Sequence, residues 1–178
     1  MTSVLTRMLG TEYLNVAEDI VQDTLMKAME TWPFHGIPEN SSAWLYRVAK
    51  NKAIDFFRSQ HTKSRHEKEF NQNEVATFQE AFEDSEIKDS VLRMMFACCH
   101  PSIPPESQIA LTLKTLGGLS TLEIAHAFFS TEETIAKRIY RAKEKIREEN
   151  IQLVSLGIYD LKQRLDNVLK VLYLIFNE

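Results

Sequence analysis

The chain is short of the residues that break or cross-link a fold. Its 178 residues include only five glycines, five prolines and two cysteines. The cysteines are adjacent, Cys98 and Cys99, so a disulfide framework is excluded and a reducing compartment is expected. Long runs of β-branched residues are missing, and strong helix formers fill the intervals between the few Gly and Pro. An all-α protein is the prediction. The first ten residues, MTSVLTRMLG, lack the continuous apolar core of a signal peptide. The longest apolar stretch, VLKVLYLIF, is interrupted by Lys170 and is too short to cross a bilayer. No membrane span and a cytoplasmic location are therefore expected.

Signs of catalytic chemistry are equally sparse. There is no Gly-rich phosphate loop, and His35, His61, His66 and His126 show no ligand spacing. Cys98-Cys99-His100 invites a metal or thiol reading, but adjacent side chains on a helix point apart. A second Cys pair that could complete a zinc tetrahedron is absent. Packing of both thiols in a core is the simpler reading. Neither a catalytic constellation nor a metal or cofactor is expected, and an enzyme built on these three residues is the rival.

Charge is abundant and segregated. The formal net charge of −4 argues by itself against a nucleic-acid partner. Yet 11–30 holds five acids against Lys27, and 47–65 holds six bases against Asp55. The stretch 74–89 then holds six acids against Lys88, and 137–147 six bases against Glu144. Such alternation suits a protein that meets both a cationic and an anionic surface.

Hydrophobic periodicity divides the chain into helices. Residues 16–31 place Val16, Ile20, Val21, Leu25 and Met29 on one face, with Ala17, Thr24 and Ala28 beside them and Glu18, Asp19, Gln22 and Asp23 on the polar side. A loop is expected over WPFHGIPEN, then a helix from Ala43 to about Gln60, capped by Ser41 or Ser42. Residues 61–90 read as a polar, finally acidic linker that contains a helix, with Phe78 and Phe82 as its candidate anchors. A hydrophobic helix ending at Pro101 follows, then one over 106–116 stopped by Gly117-Gly118. Near the C-terminus, Leu161, Leu165, Val168, Leu169, Leu172 and Phe176 form a stripe, with apolar residues on the other side as well.

Between 119 and 146 two S-x-x-E patterns, Ser120 with Glu123 and Ser130 with Glu133, mark two helix starts. They predict a short helix over 121–129, a turn at Ser130-Thr131 and a longer helix from Glu132. The second helix is apolar at Ile135, Ile139, Ala142 and Ile146. Its other flank carries Thr134, Lys137, Arg138, Tyr140, Arg141, Lys143 and Lys145. One apolar side for docking and one basic side for the major groove is what a helix-turn-helix requires. An amphipathic helix with a solvated basic face fits the same pattern, so both readings stand at this level.

Longer stretches distinguish them. IPPESQIALTLKTLGGLSTLEIAHAFFSTEETIAKRIYRAKEKIR resembles the sigma-4 domain of bacterial RNA polymerase sigma factors of the extracytoplasmic-function (ECF) group. VAEDIVQDTLMKAMETW followed by AWLYRVAKNKAIDFFRSQ resembles sigma-2 of that group. The resemblance covers about 4–147. MMFACCHP and LDNVLKVLYLIFNE resemble a subgroup with a helical-repeat C-terminal extension after sigma-4.

The resemblance implies a sigma-2-like helical bundle over 1–60, an acidic linker over 61–90 and a sigma-4-like helix-turn-helix domain over 91–150. Residues 151–178 would begin the extension. It implies a non-enzymatic sigma factor that binds core RNA polymerase and starts transcription at chosen promoters. Glu18, Asp19, Gln22 and Asp23 would face the polymerase. Trp44, Arg47, Lys50, Asn51, Lys52, Asp55 and Arg58 would open and read −10 promoter DNA. Thr134, Lys137, Arg138, Tyr140, Arg141 and Lys143 would meet −35 DNA, with Arg138 also placed to pair with nearby acids. Ala136 stands where many relatives carry a polar or basic residue. An anti-sigma factor or the extension itself is the implied regulator. Most of the first sigma-2 helix would precede Thr6, and only the first helix of the extension is expected within the chain. The alternative from a different class is a stand-alone regulator that dimerises through the helix at Ile158–Phe176.

Overall fold

The computed structural model describes residues 1–63, 84–153 and 158–176. Every regular element among the described residues is helical. In chain order they are α1 (Thr2–Leu9), a 3₁₀ turn (Thr11–Tyr13), α2 (Leu14–His35), α3 (Ser41–Lys63), α4 (Asp84–Cys98), α5 (Pro105–Thr115), α6 (Thr121–Ala127), α7 (Glu132–Glu148) and α8 (Ile158–Phe176). The chain divides into two compact units, one built on Met1–Leu9 and Tyr13–Ile87 and the other on Lys88–Glu178.

The first unit packs α1, α2 and α3 against one another. Its core holds Leu5 and Leu9 of α1, Ala17 and Ile20 of α2, and Ala49, Ala53 and Ile54 of α3, rimmed by Tyr13, Phe56 and Phe57. The buried face of α2 is Ala17, Ile20, Thr24 and Ala28. It is rotated from the predicted stripe, whose large residues Leu25 and Met29 are exposed, as is Met26. Small residues won because Ala on both helices lets α2 and α3 approach closely, and Thr24 hides its hydroxyl by donating to the Ile20 carbonyl at 2.7 Å.

Three further boundaries differ from expectation. Helix α2 continues through Trp32 and Pro33 to His35, into the predicted loop. Pro33 removes only one backbone donor so near the end, while the Trp32 ring lies edge-on to Trp44 at 5.6 Å. Gly36, at φ +80°, then turns the chain and donates its N–H to the Trp32 carbonyl. Helix α3 is capped by Asn40 rather than by Ser41 or Ser42: the Asn40 Oδ1 accepts from the Ala43 N–H at 2.9 Å. Helix α4 starts at Asp84, inside the stretch read as linker. The anchors Phe78 and Phe82 lie outside the described residues.

In the second unit α5 is the central element, packed against α6, α7 and α8. Ala110, Leu111 and Leu113 of α5 are buried together with Ile124 and Ala125 of α6 and Ile135, Ile139, Ala142 and Ile146 of α7. Met95, Phe96 and Cys99 of α4 meet Val168 and Val171 of α8. Polar bonds complete that docking. Arg164, itself buried, donates to the Phe96 carbonyl at 3.0 Å. Gln108 donates to the carbonyls of His100 and Ile103 and accepts from Asn167 of α8 at 3.0 Å. Helix α8 is therefore a built-in layer of this unit. Of the predicted stripe, Leu161, Val168 and Leu172 face the core, whereas Leu165 and Leu169 face outward with Tyr173. Cys98 and Cys99 are both buried, and burial pushes the Cys99 thiol up to about 11.

Candidate nucleic-acid interface

The helix-turn-helix is assembled by local bonds that its sequence specifies. Gly118, at φ +73°, ends the run from α5. The Ser120 N–H donates to Glu123 Oε2 at 2.6 Å while the Glu123 N–H donates to Ser120 Oγ at 3.2 Å, so the first capping box is formed. The second is not. Helix α7 is capped by Thr131, whose Oγ1 accepts from the Thr134 N–H at 3.2 Å. Ser130 instead stays in the turn, where its N–H bonds the Ala125 carbonyl at 2.8 Å. Phe129 makes that turn with φ +47° and a wholly exposed side chain.

Helix α7 buries Ile135, Ile139, Ala142 and Ile146 and turns the rest of its surface outward. Thr134, Lys137, Tyr140 and Arg141 are exposed, and Arg138 and Lys143 are partly so. The cations are held differently. Lys137 pairs with Glu133 one turn back on the same helix, at 2.6 Å. Arg138 reaches another helix, its Nη2 lying 2.5 Å from Glu106 Oε2 in the first turn of α5. Arg141 makes no ion pair with the described residues. At the helix end Lys145 binds Glu149 at 2.8 Å, and that bond, joined by one from Ser102, holds the Glu149 carboxyl below its ordinary range.

In the first unit Trp44, Arg47, Asn51, Asp55 and Arg58 recur at three- and four-residue spacing along α3, so they share one side. All but the half-buried Trp44 are exposed, and Arg58 lies 3.7 Å from Asp55. Lys50 and Lys52 flank this line. Lys52 turns toward α2 and bonds Asp23 Oδ2 at 2.9 Å. Two residues expected to meet different partners thus pair with each other. On α2, Asp19, Gln22 and Asp23 are exposed and Glu18 is half-buried. Sequence reasoning missed Glu106 as the partner of Arg138. Its place at the second position of α5 was legible, but the distance across to α7 was not. Among the described residues no cluster of His, Cys, Asp or Glu is arranged to hold a metal ion, and no helix is long and apolar enough to cross a membrane.

The architecture is that of a helix-turn-helix unit preceded by a separate helical unit with a cationic helix of its own. The sequence model of sigma-70 region 2 matches residues 1–62, and that of sigma-70 region 4 matches residues 93–146. The chain is 28% identical to the ECF RNA polymerase sigma-E factor of Haemophilus influenzae, over 78% of this chain and 76% of that protein. It is 25% identical to the ECF RNA polymerase sigma factor SigW of Bacillus subtilis, over 80% of this chain and 79% of that one. An uncharacterized protein of Rhizobium meliloti is 32% identical over 93% of this chain, which spans only 40% of that relative's length. The chain belongs to the sigma-70 family, in its ECF group. A stand-alone helix-turn-helix regulator is not favoured, because it does not account for the region 2 unit.

Proposed function

We propose that this chain recruits core RNA polymerase to chosen promoters, acting by binding energy and not by catalysis. The observation that carries the reading is α7, whose aliphatic side is buried while Lys137, Tyr140 and Arg141 face outward, Arg141 with no ion pair among the described residues. A guanidinium with no internal partner can neutralise a phosphate without first breaking a bond. In this reading Thr134, Lys137, Tyr140, Arg141 and Lys143 meet −35 DNA. The line Trp44, Arg47, Asn51, Asp55 and Arg58, flanked by Lys50 and Lys52, meets −10 DNA, where aromatic and cationic groups suit unstacked bases and single-strand backbone. Glu18, Asp19, Gln22 and Asp23 meet a cationic face of the polymerase. Work in the cytoplasm follows from that role, and an anti-sigma factor that covers either face is the partner expected to silence it.

The direct test is run-off transcription with bacterial core polymerase, the full chain and a genomic promoter library. Promoter-specific transcripts that require the chain are expected. Polymerase binding without any such transcript would overturn the proposal.

A further inference from the structure

The three cations nearest the exposed face of α7 are not equivalent, and the difference assigns one of them another task. Arg141 has no ion pair among the described residues. Lys137 is tied to Glu133 of its own helix, so that bond can open without moving α7. Arg138 alone is tied to a different element, through Glu106 at the start of α5. Its side chain is also the least exposed of the two paired cations, 31% against 64% for Lys137. The aliphatic contacts of Ile135, Ile139 and Ala142 dock α7 on its scaffold and set which side turns inward, through packing that includes no directional bond. A charge-assisted bond from the edge of that buried stripe to a neighbouring helix is directional. Glu106 lies in the first turn of α5.

We infer that Glu106 and Arg138 form a positioning pair that fixes the rotation of α7, so that Thr134, Lys137, Tyr140 and Arg141 are presented in register to the major groove. Arg138 acts through α7 and not on a phosphate. This rests on the DNA-reading role proposed above and goes beyond it by giving an acid a constructive part in anion recognition. The sign of its effect is the distinguishing feature. Were Glu106 merely an acid beside DNA, or a competitor for Arg138, removing its charge would tighten binding. As a positioning residue its removal weakens binding and blurs the sequence read.

The experiment uses holoenzyme assembled from bacterial core polymerase and the full chain, with promoter duplexes that the wild-type holoenzyme selects from a random −35 pool. Glu106→Gln is expected to weaken binding about fivefold, in line with about 1 kcal/mol for a partly exposed pair. It should relax base preference at several −35 positions and leave the slope of log affinity against log salt unchanged. The exchange of Glu106→Arg with Arg138→Glu should restore both affinity and preference, a rescue that general loss of stability would not show. Thermal unfolding of each variant runs in parallel. Equal or tighter binding by Glu106→Gln, or a steeper salt slope, overturns the positioning role while the DNA-reading role stands. A wild-type holoenzyme that selects no −35 sequence removes the DNA-reading role itself, and the positioning role with it.

Discussion

Phe129 occupies a backbone conformation that L side chains rarely take, φ +47°, and its ring touches nothing that would compensate, being wholly exposed. Left-handed geometry costs a non-glycine residue about 1–2 kcal/mol, partly offset in any glycine replacement by the entropy of a freer unfolded chain. Phe129→Gly should therefore stabilise the protein by about 1 kcal/mol, visible as a higher midpoint in urea unfolding. Glu123 supplies a pH-dependent counterpart. Its bond from the Ser120 backbone N–H, and then that from the Ser120 side chain, hold its carboxyl below the ordinary value of 4.5. A depressed folded value contributes stability that is present above 4.5 and lost as pH falls through the lower folded value. Unfolding measured between neutral and acid pH should show a shallower decline for Glu123→Gln than for wild type in that window. An unchanged profile would mean that the capping box does not persist in solution.

At the scale of single helices, α7 and α8 make separate predictions. Because Arg141 has no ion pair among the described residues, Arg141→Ala should weaken −35 duplex binding and lower the salt slope by about one. An unchanged slope would show that this side chain does not meet a phosphate. Helix α8 is docked by Val168 and Val171 and by the bond network through Gln108. Gln108→Ala would remove the side-chain partner of the Ile103 carbonyl and of the Asn167 amide at once, and leave the His100 carbonyl with the Ile103 N–H alone. The expected cost is about 2 kcal/mol by denaturant unfolding, the penalty for leaving buried polar groups unsatisfied. The stability of the helix-turn-helix unit is thus tied to a helix that contributes nothing to its outward basic face.

For the whole molecule, two units with separate cores imply separable functions. Asp19 is exposed on α2 of the first unit, whereas Arg141 lies on α7 of the second. Asp19→Lys is expected to reduce capture of core polymerase by about tenfold, the scale of a misplaced charge at a complementary interface. Its affinity for an isolated −35 duplex should stay at the wild-type level. Parallel losses in both assays would mean that the two units act as one. The net charge of −4 misleads at this scale, because it averages faces that must meet opposite partners.

By itself the sequence determined the helical class, the order of the two units, and the start and buried stripe of α7. These are local properties: the stripe is set by the spacing of Ile135, Ile139, Ala142 and Ile146, and the short helix before it by the reciprocal bonds of Ser120 and Glu123, while α7 starts where expected but on a Thr131 cap. Only the tertiary structure decided which apolar residues of α2 and α8 face inward. Both helices carry more hydrophobic positions than one face can bury, so close approach at Ala17, Ala28, Ala49 and Ala53 selected among them on α2, and docking of Val168 and Val171 on Met95 and Phe96 selected among them on α8. It also decided the ion pairs Asp23–Lys52 and Glu106–Arg138, which join residues on different helices. Periodicity reports which residues share a side of one helix, and it carries no information about which charged side chain waits on the next.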